Sequence, residues 1–393
     1  MSFKLKPLSE YDRFVAVDIG ANRVKVLVCA VENGDLKVYG RASTRQSKKN
    51  VIAGEIADLA AVSDIVRRTV LKAAEGLDSL PEEVVMSINS SALLYDSIGT
   101  NYVRNRADEP ITMEEIDRMI ASTEGKSLDR IRIKAEDRFD LGPNELRLVT
   151  TSLTSISLDG KKVSNPIGFT AKNVKLTLVN FFVPQSTFQS LSLIVRDLSM
   201  KLVSVVPVPV ALPKLVEDGP EAFDANAFVD VGHSRVTVAV SDRGELLGSA
   251  TVDFGYSLLE EALRAEKSGL SGFDVEDRLV HPEKYADEHK SYAKFYDLVS
   301  DGIRIALGEI AKNVRIRNFF FSGGGNTEKL RDAFSAKYDP LGSCRVVSLP
   351  GLTAESDPAY ALCEAVAVCA KEFVSLRKDP IVRILRYVIY RYE

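Results

Sequence analysis

At 393 residues the chain is long enough for two or three domains with large buried cores. Its 45% hydrophobic content and mean hydropathy of −0.02 describe a soluble globular protein. A net charge of −4 and a pI near 5.7 give no global reason to expect nucleic-acid binding, and no run of about 18 apolar residues reads as a membrane-spanning helix.

Met1 to Asp12 is polar and mixed in charge, so no secretory signal is expected. Cys29, Cys344, Cys363 and Cys369 form no C-x-x-C pair and sit in apolar contexts, as core thiols do. His233, His281 and His289 have no metal-site spacing, which argues against a zinc enzyme. Phe14 to Gly20 reads as a buried strand ending in Asp and Gly, with Val24 to Ala30 as its return strand. Thr112 to Ile120 begins a helix, with Thr112 and Glu115 spaced as a capping box. About half a chain after the first hairpin comes a second copy, Ala227 to Gly232 followed by Val236 to Val240. Two halves that open alike imply an internally duplicated α/β protein.

Asp18-Ile-Gly20 and Asp230-Val-Gly232 therefore hold matching places. Glycine lets a loop turn tightly so that backbone N–H groups face a phosphate. An aspartate at the strand end can hold a Mg²⁺-bound water. A single Asp-x-Gly is an ordinary hairpin feature; two copies in register carry more weight. The third element is Asn318 to Leu330, a buried strand running into Gly323, Gly324 and Gly325. Asn326 or Thr327 can cap a helix starting near Glu328, and a flat aromatic ring could lie against the bare glycine backbone. This segment alone also fits a plain strand-to-helix turn. Neither a G-x-x-x-x-G-K-[ST] loop nor a G-x-G-x-x-G after a strand occurs.

Pro380 to Glu393 reads as a short amphipathic helix opened by Pro380. Ile381, Ile384, Leu385, Val388 and Tyr392 share one side, with Val382 and Ile389 at its edge. Arg383, Arg386, Tyr390 and Glu393 fall opposite. At roughly 20 Å it is too short to span a bilayer but suits the headgroup layer. A last core helix packed on the body is the other reading.

With these residues the chain resembles the actin/Hsp70/sugar-kinase ATPase superfamily, and within it the FtsA family of cell-division actins. The resemblance covers nearly the whole length. Asp18-Ile-Gly20 and Asp230-Val-Gly232 are similar to the two phosphate loops, Ser322 to Asn326 to the adenosine loop, and Val203 to Ala211 to the crossing between halves. Asp357 to Ala361 resembles the opening of the closing helix. Leu158 to Gly168, with Asn165-Pro-Ile-Gly168, resembles the end of the FtsA inserted subdomain, and the tail resembles a membrane-targeting helix.

The resemblance implies an actin-like ATPase fold of two duplicated lobes. Residues 12–84 and 172–207 would form the first lobe, 85–171 the inserted subdomain and 208–374 the second lobe, with its own insert near 262–298. Residues 375–393 would be a short linker and the membrane helix. The implied ligands are ATP and Mg²⁺. Asp18, Gly20, Ala21, Asn22 and Arg23, with Asp230, Gly232, His233, Ser234 and Gly255, would meet the phosphates. Asp18 and Asp230 would bracket the metal through water, and Glu276 and Gly323 to Asn326 would receive adenosine. Ile381, Arg383, Ile384, Leu385, Arg386, Val388 and Tyr392 would meet an anionic membrane at the inner face. The implied partners are an FtsZ-like division protein, further copies of the chain in a filament, and other divisome proteins through the inserted subdomain.

The loops also depart from the family pattern. Ala21, Asn22 and Arg23 stand where hydroxyls and a lysine are usual, and the second loop keeps one glycine and no second aspartate. Leu279 stands where the adenosine-side helix usually has a lysine, and Arg278 is one position early. Fewer backbone donors and a missing carboxylate imply slow or absent hydrolysis. Two rivals share the fold. One is a PilM-like adaptor of a type IV pilus or secretion machine, which Gly232-His233-Ser234 resembles; the other is a small-molecule kinase.

Overall fold

A computed structural model describes residues 13–142, 144–285, 290–339, 341–352, 357–375 and 387–388. A first sheet begins with β1 (Arg13–Ile19), β2 (Arg23–Glu32) and β3 (Asp35–Arg45). The small hairpin of β4 (Val51–Ile52) and β5 (Glu55–Ile56) leads to α1 (Leu59–Ala73) and β6 (Glu83–Ile88). The chain then leaves this sheet for β7 (Leu94–Val103), α2 (Met113–Phe139), β8 (Leu146–Leu158), β9 (Lys161–Lys162) and β10 (Asn173–Pro184). It returns through α3 (Gln185–Asp197) and β11 (Lys201–Pro207) and crosses at α4 (Val208–Ala211).

The second half repeats the plan with β12 (Ala225–Val231), β13 (Val236–Asp242) and β14 (Glu245–Val252). Four helices follow: α5 (Ser257–Glu266), α6 (Gly272–Val280), α7 (Pro282–Tyr285) and α8 (Lys290–Ile310). Then come β15 (Asn318–Ser322), α9 (Glu328–Tyr338), β16 (Arg345–Ser348), α10 (Ala361–Ser375) and β17 (Tyr387–Val388).

The two large sheets have the same order. One reads β11-β6-β1-β2-β3 and the other β16-β15-β12-β13-β14, each an antiparallel meander extended by two parallel strands. The duplication expected from the paired hairpins is therefore present throughout both lobes.

Alternation along the central strands explains how each sheet packs on both faces. Phe14 and Ala16 of β1, Phe228 of β12 and Phe320 of β15 point into a core shared by the lobes, filled by α4 and by Ala361, Cys363, Val366 and Cys369 of α10. Their neighbours point outward: Val15 and Val17 pack beneath α1 and α3, and Val229, Val231, Phe319 and Phe321 beneath α5, α8 and α9. A third sheet, ordered β17-β8-β10-β7, is covered by α2. Strand β10 pairs with β7 and β8 along its length, yet Val179, Phe181 and Val183 enter the first-lobe core.

The tail is described only at Tyr387 and Val388, which pair antiparallel with Ser152 and Thr151 of β8. At these two residues, Val388 included, the expected helix is replaced by extended chain. The edge of β8 supplies unpaired backbone groups, and Tyr and Val favour a pleated partner. Ile381, Arg383, Ile384, Leu385, Arg386 and Tyr392 lie outside the described residues.

Candidate functional site

The two hairpin turns close in the same way. Gly20 N–H donates to Arg23 O at 3.0 Å, and Gly232 N–H to Arg235 O at 2.9 Å. Each turn follows a buried aspartate. Asp18 accepts from Ser87 Oγ on β6 at 2.8 Å, and Asp230 from Ser322 Oγ on β15 at 3.0 Å. The hairpins differ in what lies across from these carboxylates: Lys25 is the strand partner of Asp18, whereas Thr237 is that of Asp230.

Lys25 Nζ lies 3.3 Å from Asp18 Oδ2, with the lysine side chain only 14% exposed. Burial alone would lower its pKa, but the charges of Asp18 and then Asp230 outweigh that and hold it above the ordinary lysine value. Burial pushes Asp230 up to about 6, with Asp18 adding to the rise and Lys25 and Ser322 opposing it.

Both turns and Gly323 and Gly324 of the triple glycine line one cavity of about 90 Å³. Asp18, Gly20, Ala21, Asn22 and Arg23 come from the first loop. Asp230, Gly232, His233 and Ser234 come from the second, and Gly323 and Gly324 from the third. Lys25, Asn89, Arg235 and Tyr256 also line it, although the sequence motifs do not single them out. Lys25 had a usable signal, since a lysine seven residues after Asp18 faces it across the tight hairpin; Tyr256 had none.

Four expected site residues do not line this cavity, although Gly325 borders a second one of about 10 Å³ beside Tyr256. Gly255 packs behind the second loop, where a methyl group would come within 2.2 Å of Gly232 O. Gly325 commits its N–H to Val231 O at 2.9 Å. Asn326 donates to Phe321 O and Ser348 Oγ and so ties β15 to β16. Glu276 reaches across to the first lobe, accepting from Arg23 at 2.7 Å and Arg45 at 3.0 Å. Arg278 turns into the helical insert, its guanidinium 4.4 Å from the Tyr285 ring centroid.

Gly323 has φ +87°, and a Cβ there would stand 2.5 Å from Val231 O, so this position requires glycine. At Gly324 a methyl would lie 3.1 Å from Tyr256 Cε1. The bare backbone is thus faced by a ring from the chain itself. The Tyr256 hydroxyl accepts from Asn22 Nδ2 at 2.9 Å, and His233 stands edge-on to the ring at 4.8 Å. His233 Nε2 lies 3.5 Å from Glu260 Oε2, while Glu260 also receives Lys48 at 2.9 Å and Arg264 at 3.2 Å. Burial pushes the His233 pKa down and Lys48 adds to this, against the pull of Glu260. Burial would raise Glu260, but Lys48, Arg264 and His233 hold it below the usual glutamate value.

The cavity can be tested against Mg-ATP. Small-molecule sites have roughly 300–1,000 Å³, several times the 90 Å³ here. The glycine N–H groups that would cradle phosphates at Gly20 and Gly232 close their own turns. A metal between Asp18 and Asp230 would meet the Lys25 ammonium already placed on Asp18. The residues do not fit Mg-ATP in this arrangement.

No family model matches the chain. It is 23% identical over 235 residues to the cell division protein FtsA of Streptococcus pneumoniae serotype 2 (strain D39 / NCTC 7466), covering 59% of this chain and 48% of that protein. The match thus spans about half the length of that curated relative. Among solved structures, the PilM-PilN type IV pilus biogenesis complex contains a chain that superposes with a TM-score of 0.63 at 14% identity, covering 91% of this chain and 98% of that one. The ethanolamine utilization protein EutJ of Carboxydothermus hydrogenoformans gives 0.53 at 13% identity over 93% and 90%. A diol dehydratase-reactivating factor in nucleotide-free form gives 0.52 at 9% over 92% and 100%. The chain has the actin-like ATPase fold, and over part of its length its sequence is similar to that of FtsA.

Proposed function

We propose that the chain is a binding scaffold that joins protein partners at the inner face of a membrane, and that it does not turn over nucleotide. One observation carries this reading. Asp18 and Asp230, the carboxylates that would order a metal or a hydrolytic water, are committed to Ser87, Lys25 and Ser322. A steady-state ATPase assay on the full chain tests it. Turnover at background level is expected; turnover abolished by Asp230→Asn would overturn the scaffold reading.

Within that reading two assemblies are supported by different observations. The sequence match to FtsA and the amphipathic tail support a division scaffold that binds an FtsZ-like protein, forms filaments and attaches to anionic lipid through residues 380–393. The near-complete superposition on the PilM-PilN chain and the strand at Tyr387–Val388 support a PilM-like adaptor. A cavity of about 290 Å³, bounded by Ser152 to Thr154 of β8 and by Pro209, Val216 and Phe228, would seat a peptide of such a machine.

Co-sedimentation with anionic liposomes separates the two. Pelleting that needs residues 380–393 selects the division scaffold. Absence of pelleting, for the full chain and for one ending at Asp379, selects the adaptor.

A further inference from the structure

We propose that the interlobe cleft is satisfied from within: Lys25 supplies the counter-charge to Asp18 and Asp230, the Tyr256 ring lies against Gly324, and the lobes close on each other without nucleotide or metal. Three independent features of the cleft converge on this.

Charge comes first. Two buried carboxylates from opposite lobes need a cation between them, and a bound metal is the usual answer in a phosphate site. Here the cation is an ammonium from the first lobe, anchored on Asp18 at 3.3 Å and lining the same cavity as Asp230. Any metal arriving would be repelled by a charge already in place.

Shape comes second. A glycine without a side chain leaves a bare surface that admits a ring, and at Gly324 the ring admitted is Tyr256. It is held on its hydroxyl by Asn22 of the other lobe and on its edge by His233. What remains beside it is about 90 Å³, less than a nucleotide needs.

The rim comes third. Arg23 and Arg45 of the first lobe would attract a phosphate if they were open. Both are turned onto Glu276 of the second lobe, and Lys48 onto Glu260. Cations of one lobe are thus matched to carboxylates of the other, which draws the lobes together and neutralises the mouth of the cleft. Nucleotide entry would have to break these pairs, displace Tyr256 and find a new partner for Lys25.

The test uses the purified full-length chain. Nucleotide released on acid denaturation is quantified by chromatography. Thermal unfolding is followed alone, with Mg-ATP, with Mg-ADP and with EDTA. The expected result is no released nucleotide and one midpoint under all four conditions. Close to one nucleotide per chain, or a midpoint raised by Mg-ATP and returned by EDTA, would overturn the inference. A second measurement addresses closure itself: amide exchange of residues 19–24 and 232–235 in the Asn22→Ala/Glu276→Ala variant, at a temperature where it stays folded. Exchange several-fold faster than in the parent is expected, and unchanged exchange would show that the clasp does not hold the lobes. The inference rests on the scaffold reading only for the absence of turnover. Nucleotide bound without turnover sinks the inference and leaves that reading standing, whereas turnover abolished by Asp230→Asn sinks both.

Discussion

Lys25 and Thr237 are counterparts in the duplicated hairpins, each opposite the aspartate that ends its neighbouring strand, yet only one of them is charged. A single lysine therefore sits in the cavity that two buried carboxylates line, one from each half of the chain, and pairs directly with Asp18. Lys25→Met leaves Asp18 and Asp230 without it. Removing one partner of a buried ion pair costs about 3–5 kcal/mol, and urea unfolding should show a loss of that size. Adding Asp18→Asn to Lys25→Met should recover much of it; an equally unstable double variant would mean that the lysine stem, not its charge, does the holding.

Tyr256→Phe keeps the ring over Gly324 and removes only the hydroxyl that receives Asn22. A net hydrogen bond is worth about 0.5–1.5 kcal/mol. The expected outcome is a loss in that range by chemical denaturation, with no further loss when Asn22→Ala is added. Additive losses would place the value of the two residues elsewhere.

Adjacent glycines should respond differently to one methyl group. Gly323→Ala forces a left-handed φ on an L-residue and drives Cβ into Val231 O, so a loss above about 2 kcal/mol is expected. Gly324→Ala meets only the side of the Tyr256 ring, which can shift by a few tenths of an ångström. Its smaller cost should largely vanish in a Tyr256→Ala background, a coupling that a double-mutant cycle measures.

Acid sensitivity should include a share from His233. Its folded pKa is depressed, so the unfolded chain takes up a proton first as pH falls through the free value of 6.5. The stability contributed by the neutral imidazole is present above that value and is lost below it, at up to about 1.4 kcal/mol per pH unit. Burial is the main cause, Lys48 and Arg45 add to it and Glu260 opposes it, with Tyr256 packed on the ring. Glu260, held below 4.5, adds its own loss only at lower pH. Midpoints recorded from above pH 6.5 down to about pH 5 should slope less in His233→Asn than in the parent.

Ending the chain at Asp379 removes the strand that covers β8 at Thr151 and Ser152. Amide exchange in this part of β8 should accelerate in the shortened chain, and an uncovered edge should raise its tendency to associate. Identical exchange in both chains would show that the two-residue pairing contributes nothing in solution.

Much of the framework was legible because it rests on local rules. The two Asp-x-Gly hairpins are written in strand alternation and turn chemistry, and both form the expected pairs. Thr327 caps α9 at Leu330 N, and the helix starts at Glu328 as the sequence suggests. Thr112 also caps its helix, but the carboxylate of Glu115 does not complete a capping box. It grips the buried Arg104, eleven residues earlier, with two hydrogen bonds, a tertiary contact that capping chemistry does not encode. The contents of the cleft were illegible for the same reason. Tyr256 belongs to the second-lobe loop before α5 and is held by Asn22 of the first lobe, and Glu276 finds its arginines more than 200 residues away. Tyr387 and Val388 show the other kind of failure. Residues with a helical stripe can also pair as a strand when an open sheet edge is near, and periodicity alone does not choose between them.

Strand β10 has a mechanical consequence. Its register with β8 shifts at Thr177/Leu178 and again at Phe181/Phe182, the extra residue each time lying on β8, while β10 itself runs on unbroken from the third sheet to the neighbouring core. Val179, Phe181 and Val183 root it there. The third sheet is therefore a cantilever, built into the first lobe rather than hinged on it. A load applied by a partner at its free end would travel lengthwise along one continuous strand into the packing beneath α1 and α3, and it would reach that lobe as tension instead of being absorbed by rotation.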